Sequence, residues 1–428
     1  MINTKPKFYF ICCILLICVM GCKSSLKNNH TLHASIDHQT TLDSLDAALS
    51  QLSSTSLMPG FSVAIAKEGQ VLFKKGYGFA DLSSKTNFTP QTINGVASVS
   101  KTFVGLAIMQ LVDNGKLSLD EPINTILPYK IINPHHPQTE ITVRHLVTHS
   151  STLTEEFDPE EVGEASIYLV EDYPINTTTP EDIKDAITYF KMGRQISLDE
   201  HIKRYTQPEG KWYTPENFLS SLPGKKFDYT NLDAAIAARI VEITTGISFE
   251  EYTRLHIFKP LNMSHSSWKN KDIEATKRSK IYMPDNRKSP SKAVKMPQYE
   301  MTDFPAGGLK TNIEDLSKYL IEMINGYHGN GKLLSAGAYQ TLFNPQLAED
   351  SFENHNDFAF NDQQGVAVFW AISPTGYRLH NGGSVGVYSF IYFDPATKSG
   401  AVAFCNLPVD DFGKVRDLVH KYQQLLVK

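Results

Sequence analysis

Cysteine is scarce outside the first 22 residues of this 428-residue chain. Four of the five cysteines precede residue 23, and only Cys405 lies in the remaining sequence. That remainder can therefore form neither an internal disulfide framework nor a cysteine-based metal site. Strong positive charge is also lacking, because 41 basic residues are spread thinly and the net charge is −5. Without a basic stripe of the kind that follows phosphates, nucleic acid is not an expected partner.

The longest apolar run, Phe8–Met20, has thirteen residues and follows two lysines. It is too short to cross a bilayer comfortably but has the length of a signal-peptide core, so we expect residues 1–21 to be a signal peptide. The run ends in VMGC, which resembles a bacterial lipobox, and the resemblance makes Cys22 the lipid-bearing first residue of the mature protein. A plain signal anchor is the alternative. Residues 22–40 are polar and without period, as in a tether, so the expected location is the cell envelope, with a lipid anchor in the membrane and the protein facing the periplasm or the exterior.

The rest of the sequence predicts a sheet to which both chain ends contribute. A helical pattern and a β-hairpin that turns at Glu68-Gly69 come first, and two strand-like runs and an amphipathic helix come last. This order predicts an α+β fold, in which one antiparallel β-sheet carries helices on its faces. The predicted ranges are a folded domain over 41–428, its sheet lobe over 41–119 and 300–428, an inserted mostly helical lobe over 120–299, and within that lobe an acidic, weakly periodic, lid-like excursion over 154–195.

The pattern Ser-x-x-Lys occurs repeatedly, and only its context distinguishes one occurrence. The four pairs are Ser24/Lys27, Ser98/Lys101, Ser266/Lys269 and Ser289/Lys292. Only SVSK at 98–101 opens an apolar helix pattern, which continues as TFVGLAIMQLVDNG and closes at a glycine. At the start of a helix, residues i and i+3 share a face about 5 to 6 Å apart. Ser98 and Lys101 are therefore predicted to touch.

This pair has the chemistry of an activated nucleophile. A serine hydroxyl attacks well only when a neighbouring base takes its proton. A lysine can be that base when burial or a nearby cation lowers its pKa toward neutrality, and the apolar neighbours Val96, Val99 and Phe103 predict burial. The helix N-terminus would also bring the Ser98 amide close to a developing oxyanion.

Two further motifs occur once each downstream. Only Tyr229 begins a Tyr-x-Asn, ending at Asn231, and only His380 begins a His-x-Gly, ending at Gly382. The ordered set resembles the serine β-lactamase and penicillin-binding protein superfamily, in particular the branch of class C β-lactamases, DD-peptidases and their esterase relatives. The resemblance covers 41–428 apart from the excursion. Its blocks are GFSVAIAKEGQVLFKKGYGFADL, ITVRHLVTHSS, YTNLDAAIAARIVEITTGISFEEYTRLHIFKPLNMSHSSW and FPAGGLKTNIEDLSKYL.

The resemblance implies an exported serine hydrolase that works through an acyl-enzyme. It makes Ser98 the acylated nucleophile, Lys101 its proton partner and Tyr229 the second member of the base pair. Asn231 is implied to orient Lys101 and the substrate. The backbone amides of Ser98 and Gly383 are implied to form the oxyanion hole.

The main departure from the family pattern is His380, which stands where β-lactamases have a lysine that meets the carboxylate of the antibiotic. The resemblance implies that His380 and Gly382 bind substrate, and because an ordinary histidine is mostly neutral at pH 7, we expect this strand to hold carboxylates less firmly. Arg378 lies two residues earlier on the same strand face and could supply the missing charge. Esters, amides and D-amino-acid peptides are therefore better expected substrates than β-lactams.

The sequence leaves two alternative functions open and departs from the family pattern at two further places. A true class C-type β-lactamase and a non-catalytic binding protein for cell-wall peptides are the alternative functions. Thr152 stands where relatives often have glycine, which predicts a different turn, and Trp212 either shapes an acyl pocket or packs within a loop. The expected partners are a small acyl substrate or peptide and the membrane, the expected assembly is a monomer, and no metal or organic cofactor is implied.

Overall fold

The computed structural model describes residues 38–155, 165–347 and 365–427. The predicted signal peptide, the proposed lipid site Cys22 and nearly all of the tether lie outside the described residues. The same is true of 156–164, the early part of the predicted excursion.

In the part of the chain that the structure describes, the strands form one large sheet and three small ones. In the described residues they are β1 Gly60–Lys67, β2 Gln70–Asp81, β3 Thr86–Asn87, β4 Asn94–Gly95, β5 Ile167–Leu169, β6 Ile281–Pro284, β7 Ala293–Met296, β8 Tyr299–Met301, β9 Lys310–Thr311, β10 Gly365–Val366, β11 Ala371–Ile372, β12 Arg378–Ser384, β13 Val387–Asp394 and β14 Ser399–Cys405. The large sheet has eight antiparallel strands in the order β10-β11-β12-β13-β14-β1-β2-β3. In it β14 pairs with β1 from Phe61 opposite Cys405 to Lys67 opposite Ser399. Both chain ends thus complete one sheet, which confirms the predicted α+β fold.

The helices lie on both faces of this sheet. They are α1 His38–Thr55, α2 Ser100–Asp113, α3 Ile123–Ile126, α4 Val143–Val147, α5 Glu181–Met192, α6 Leu198–Thr206, α7 Asn231–Thr245, α8 Phe249–Thr253, α9 Phe304–Gly307, α10 Ile313–Tyr327, α11 Ala336–Phe343 and α12 Asp411–Leu426. The terminal helices α1 and α12 cover one face, whereas α10 packs on the other. In the three described ranges, no helix combines the length and apolar character needed to cross a bilayer.

Strand β1 is covered on both faces of the sheet, and its side chains enter two different cores. Phe61, Val63 and Ile65 enter the core beneath α1 and α12, whereas Ala64 and Ala66 enter the core that contains α2 and α10. Successive strand side chains point to opposite faces, so a strand covered on both faces carries apolar residues at consecutive positions, here Val63 to Ala66. The larger side chains lie on the terminal-helix side and the alanines leave room for α10.

Helix α2 runs through the protein interior and fixes the SVSK segment. All its residues from Ser100 to Leu111 are buried, and a 3-10 turn over Ala97–Val99 leads into it. The helix ends at Asp113, and Gly115 follows with φ of 67°, as the glycine stop in the sequence predicts. A helix that is apolar around its circumference belongs in a core.

The described part of the 154–195 excursion is more regular than its sequence indicated. It contains β5 and the amphipathic helix α5, whose Ile183, Ile187 and Phe190 enter a small separate core. Strand β5 pairs with β8, and the same core includes Val385, the residue that follows β12. The excursion therefore packs against the end of a main-sheet strand through its own apolar contacts.

Gly105 allows the strand region before β11 to approach α2 closely. A Cβ at this position would lie 2.7 Å from the Val368 carbonyl oxygen and 3.2 Å from a Val368 methyl carbon. We expect Gly105→Ala to lower the free energy of unfolding by about 1 to 3 kcal/mol, because backbone atoms must shift. The measurement is denaturant unfolding followed by circular dichroism.

Gly413 in α12 provides the matched control, since nothing lies within 4 Å of a Cβ built there. Gly413→Ala should raise the free energy of unfolding by roughly 0.5 to 1 kcal/mol through helix propensity. Equal stabilisation by both alanines would contradict the close approach at Gly105.

Candidate active site

Lys101 is the centre of a polar cluster at the start of α2. Its side chain is fully buried, and its Nζ lies 3.3 Å from Ser98 Oγ, 2.7 Å from Asn231 Oδ1 and 2.8 Å from the carbonyl oxygen of Ala306. The contact predicted from the i, i+3 spacing is therefore present. Ala97, just before the serine, holds a positive φ of 45°, which turns the chain sharply into the helix and is a costly backbone conformation for alanine.

The start of α7 supplies the second part of the cluster. Thr230 caps this helix, its hydroxyl accepting from the amide of Leu232 at 3.2 Å. Asn231 is thereby the first helical residue, with its amide oxygen at Lys101 Nζ, and Tyr229 precedes the cap. The Nζ atom lies 4.8 Å from the centre of the Tyr229 ring. Serine, lysine, tyrosine and asparagine from two distant sequence blocks are thus brought together.

Strand β12 forms the third side. Strand β11 pairs only with Arg378 and Leu379, so within the described residues the later part of β12 has β13 as its one strand neighbour. A Cβ on Gly382 would lie 2.4 Å from the Val96 carbonyl oxygen and 3.0 Å from the Ser98 amide nitrogen. Glycine is needed there because the two backbones touch, and this contact brings the adjoining Gly383 close to the Ser98 turn.

His380 lies within this arrangement as a neutral ring. Burial and, secondarily, the charge of Lys101 lower its pKa to about 3. Its Nδ1 lies 2.6 Å from the carbonyl oxygen of Asn381, and a carbonyl can only accept a hydrogen bond, so Nδ1 carries the proton. The Nε2 atom of the neutral ring is then an acceptor. The expectation of a mostly neutral histidine agrees with this geometry.

Arg378 is not brought to the cluster. Its Nε donates to the carbonyl oxygen of Phe343 at 2.8 Å and its Nη1 to that of Gly376 at 2.5 Å. The guanidinium also lies 5.3 Å from the centre of the Tyr327 ring. The expectation that Arg378 supplies the charge missing at His380 is therefore wrong. A shared strand face sets only the direction of the Cβ, and the rest of the Arg378 side chain extends to the two carbonyl oxygens.

A histidine and a carboxyl group behind Tyr229 were missed by the sequence reasoning. The buried His149 ring lies 4.5 Å from the Tyr229 ring, and its Nδ1 lies 3.2 Å from Asp233 Oδ2. Asp233 is fully buried and its Oδ1 accepts from Ser151 Oγ at 2.5 Å. Burial holds the pKa of His149 well below its usual value and that of Asp233 well above it. The sequence did contain one indication of this pair, because Asp233 lies on the apolar face of a predicted helix.

Two more acidic residues lie near Lys101. Glu155 accepts at 2.9 Å from both the Thr230 hydroxyl and the Asn231 amide at the start of α7. Asp303, which precedes α9, is 1% exposed, and its Oδ1 has no hydrogen-bond partner among the described residues. Burial and then the nearby Glu155 raise the pKa of Asp303 to about 7, although Lys101 opposes the shift.

The two lesser sequence questions are answered by local geometry. Thr152 has φ of 79°, which is the left-handed conformation that glycine favours. The Asn133 side-chain amide donates to its hydroxyl at 2.9 Å. Trp212 is 2% exposed and packs edge-on against Tyr205 and His201, which is the packed-loop alternative.

The chain matches a known protein family over most of its length. The family model described as Beta-lactamase matches residues 45–424. The chain belongs to the β-lactamase family. Proteins of this family are serine hydrolases.

Individual relatives are distant. Protein flp of Staphylococcus aureus is 24% identical over 350 residues, which cover 82% of this chain and 60% of flp; this chain thus spans about 60% of the length of such curated relatives. The octameric penicillin-binding protein homologue from Pyrococcus abyssi is 26% identical with a TM-score of 0.62, covering 85% of this chain and 73% of that one. EstCE1, described as a hydrolase with promiscuous acyltransferase activity, has 14% identity and a TM-score of 0.69 over 91% of this chain and 99% of its own, which is a likeness of fold.

The raised pKa of Asp303 predicts a pH-dependent stability. Between pH about 4 and pH about 7 the folded protein keeps a proton on Asp303 that the unfolded chain releases. The free energy of unfolding of the wild type, relative to Asp303→Asn, should therefore fall as pH rises through this window, by at most about 1.4 kcal/mol per pH unit. Urea unfolding of both proteins at several pH values measures the difference.

Asp285 provides a control of opposite character. The Asp285 carboxylate accepts hydrogen bonds from the hydroxyl and the amide of Ser291, and these bonds lower its pKa to about 2. Above pH about 5 the carboxyl group is therefore ionised in both the folded and the unfolded protein, and Asp285→Asn should add no pH dependence there. A constant difference between wild type and Asp303→Asn across the window would contradict the assignment.

Proposed function

We propose that this protein hydrolyses esters, amides or D-amino-acid peptides through an acyl-enzyme on Ser98. The single observation that carries the proposal is the buried Lys101 amino group, which contacts Ser98 Oγ and is held from the other side by Asn231 and the Ala306 carbonyl. Two of its hydrogens are directed at fixed acceptors, so its remaining position faces the serine. In the neutral form that position is a lone pair that can take the serine proton.

Acylation follows from this arrangement. The Ser98 proton passes to the neutral Lys101 as Oγ forms a bond to the substrate carbonyl carbon. The carbonyl oxygen gains negative charge, and the amides of Ser98 and Gly383 are proposed to donate to it. The tetrahedral intermediate then collapses: the bond to the leaving atom breaks, and that atom receives a proton from Lys101 by way of the Tyr229 hydroxyl.

Deacylation repeats these steps with water. The water gives a proton to the same Lys101 and Tyr229 pair while its oxygen bonds to the acyl carbon. The ester bond to Ser98 breaks, Oγ regains a proton, and the free acid leaves. Asn231 is proposed to hold both the Lys101 amino group and the substrate amide or ester in the orientation that these transfers need.

The neighbouring histidines support lysine and tyrosine as the proton carriers. Burial lowers the pKa of both His149 and His380 far below neutrality, so neither ring adds a positive charge beside Lys101 at physiological pH. His149 packs against Tyr229 while Asp233 holds its other side. We propose that His149 positions the tyrosine ring without carrying a proton during catalysis.

Ser98→Ala should abolish ester turnover, with a loss of at least about a thousandfold in kcat, as expected when a covalent nucleophile is removed. It should also abolish labelling by a fluorophosphonate probe. Hydrolysis of 4-nitrophenyl acetate and mass spectrometry of the labelled peptide measure the two effects. Nitrocefin, assayed in parallel, tests the alternative of a true β-lactamase.

Ser289→Ala is the matched control, because Ser289 belongs to an exposed Ser-x-x-Lys pair. It should keep wild-type turnover and labelling. Undiminished labelling of the Ser98→Ala protein would overturn the proposed nucleophile. Absence of any burst or label in the wild type would instead favour a non-catalytic peptide-binding protein.

We also propose that the protein is exported and held in the cell envelope as a monomer by lipid on Cys22. The support is the VMGC sequence after the apolar run. Cys22→Ser should abolish incorporation of labelled palmitate in cells and release the protein from the membrane fraction, whereas labelling at Ser98 should persist. The buried Cys405 gives the control Cys405→Ser, which should keep the lipid. Unchanged membrane retention of Cys22→Ser would favour a signal anchor.

A further inference from the structure

We propose that Glu155 is a positioning residue, which acts on the candidate nucleophile through Asn231 and Lys101. The inference rests on the proposed acyl-enzyme mechanism and adds to it a carboxyl group that lies outside the three sequence motifs. The proposed role requires no contact between Glu155 and the substrate. What the side chain supplies is an acceptor oxygen at a fixed place beside the start of α7.

Three successive contacts connect Glu155 to the serine. Its Oε2 accepts from the backbone amide of Asn231 at 2.9 Å. Asn231 Oδ1 lies 2.7 Å from Lys101 Nζ, and this Nζ lies 3.3 Å from Ser98 Oγ. Because Lys101 is fully buried, its amino group cannot exchange the Asn231 oxygen for bulk water. A shift of Asn231 therefore changes where the amino group points.

The same carboxyl oxygen also holds the residue between Tyr229 and Asn231. The hydroxyl of the buried Thr230 donates to Glu155 Oε2 at 2.9 Å and accepts from the amide of Leu232 at 3.2 Å. One acceptor thus fixes two consecutive residues. The side chains on either side of Thr230 both belong to the proposed proton-transfer machinery, so Glu155 holds the segment that presents them.

Helix geometry explains why an acceptor is needed at this place. The first four amides of an α-helix have no partner within the helix, and Asn231 is the first residue of α7. The Thr230 side chain satisfies the amide of Leu232, and Glu155 satisfies that of Asn231. A carboxyl group is also favoured at the positive end of the helix dipole. Without Glu155 the first turn loses this acceptor, and that turn carries the contact with Lys101.

Glu155 is also one of the ionisable groups around Lys101. Burial raises its pKa, whereas hydrogen bonds at the start of α7 and the charge of Lys101 partly offset this effect. Besides burial, Glu155 in turn contributes to the raised pKa values of Asp233 and Asp303. A substitution that removes the carboxyl group therefore changes the charge of the cluster as well as its hydrogen bonds. For this reason each variant is compared with the wild type at its own pH optimum.

Two conservative variants separate the reach of the side chain from its charge. Glu155→Gln keeps an acceptor oxygen at the same reach without the charge, whereas Glu155→Asp keeps the charge but withdraws the oxygen by about 1.5 Å, the length of one C–C bond. We expect Glu155→Gln to keep kcat and the rate constant for fluorophosphonate labelling of Ser98 within about threefold of the wild type. Glu155→Asp should lower both by about tenfold to a hundredfold, because a misplacement on this scale disrupts the reactive geometry.

Three measurements are made on every variant. Hydrolysis of 4-nitrophenyl acetate gives kcat, and mass spectrometry of the Ser98 peptide over time gives the labelling rate constant. Urea unfolding followed by circular dichroism establishes that the protein is folded under the assay conditions.

Glu155→Ala removes both hydrogen bonds and should lower the two rates at least as much as Glu155→Asp. Asp113→Ala is the matched control, because the Asp113 carboxylate accepts from the amide of Ser335 at 2.7 Å and from its hydroxyl at 2.5 Å, and Ser335 caps α11. Asp113 lies at the far end of α2, about 18 Å from Lys101 at 1.5 Å per residue. Its replacement should lower the free energy of unfolding and leave both rates unchanged. If Glu155→Ala does not fold, the comparison of Glu155→Gln with Glu155→Asp decides the matter.

The outcomes separate the two proposals. Equal rates in Glu155→Gln and Glu155→Asp, with both proteins folded, would overturn the positioning role, because the reach of the side chain would then not matter. Faster rates in Glu155→Asp than in Glu155→Gln would assign the effect to charge and overturn it as well. Absence of both turnover and label on Ser98 in the wild type would instead overturn the proposed function itself.

Discussion

The structure depends on the burial of one amino group. Lys101 has no exposed surface, and a buried amino group is stable only if its hydrogens find acceptors. Asn231 and the Ala306 carbonyl meet this need from positions 130 and 205 residues further along the chain. Satisfying Lys101 therefore requires α2, α7 and α9 to converge, and this convergence also aims the nitrogen at Ser98. The same contacts that stabilise the fold create the candidate nucleophile.

The approach of β12 to the Ser98 turn is the second constraint. Gly382 leaves no room for a side chain between this strand and the backbone of Val96, and Ser389 on β13 donates to the Val96 carbonyl oxygen at 2.6 Å. Positive φ values at Ala97, His149 and Phe369 occur on the segments that border the site. Non-glycine residues keep such conformations only where surrounding contacts hold them, which is consistent with a site shaped by the packed core.

The electrostatic character of the site follows from the same burial. One amino group is surrounded by histidines that burial keeps neutral and by carboxyl groups whose pKa values burial raises, Asp303 to about 7. Desolvation thus favours the neutral forms of these histidines and carboxyl groups, which limits the net charge around Lys101.

The sequence by itself determined the hairpin at Glu68-Gly69, the interior helix after SVSK, the sheet completed by both chain ends, and the ordered motifs that meet at Lys101. These features depend on hydrophobic periodicity, turn preferences and i, i+3 geometry. All three are local properties, so the sequence alone predicts them. Only the tertiary structure decided the direction of the Arg378 side chain, the packing of His149 and Asp233 behind Tyr229, and the contact of Glu155 with the start of α7. Each of these depends on acceptors, burial or neighbours contributed by segments far apart in the chain, and side-chain direction and desolvation are set by those neighbours.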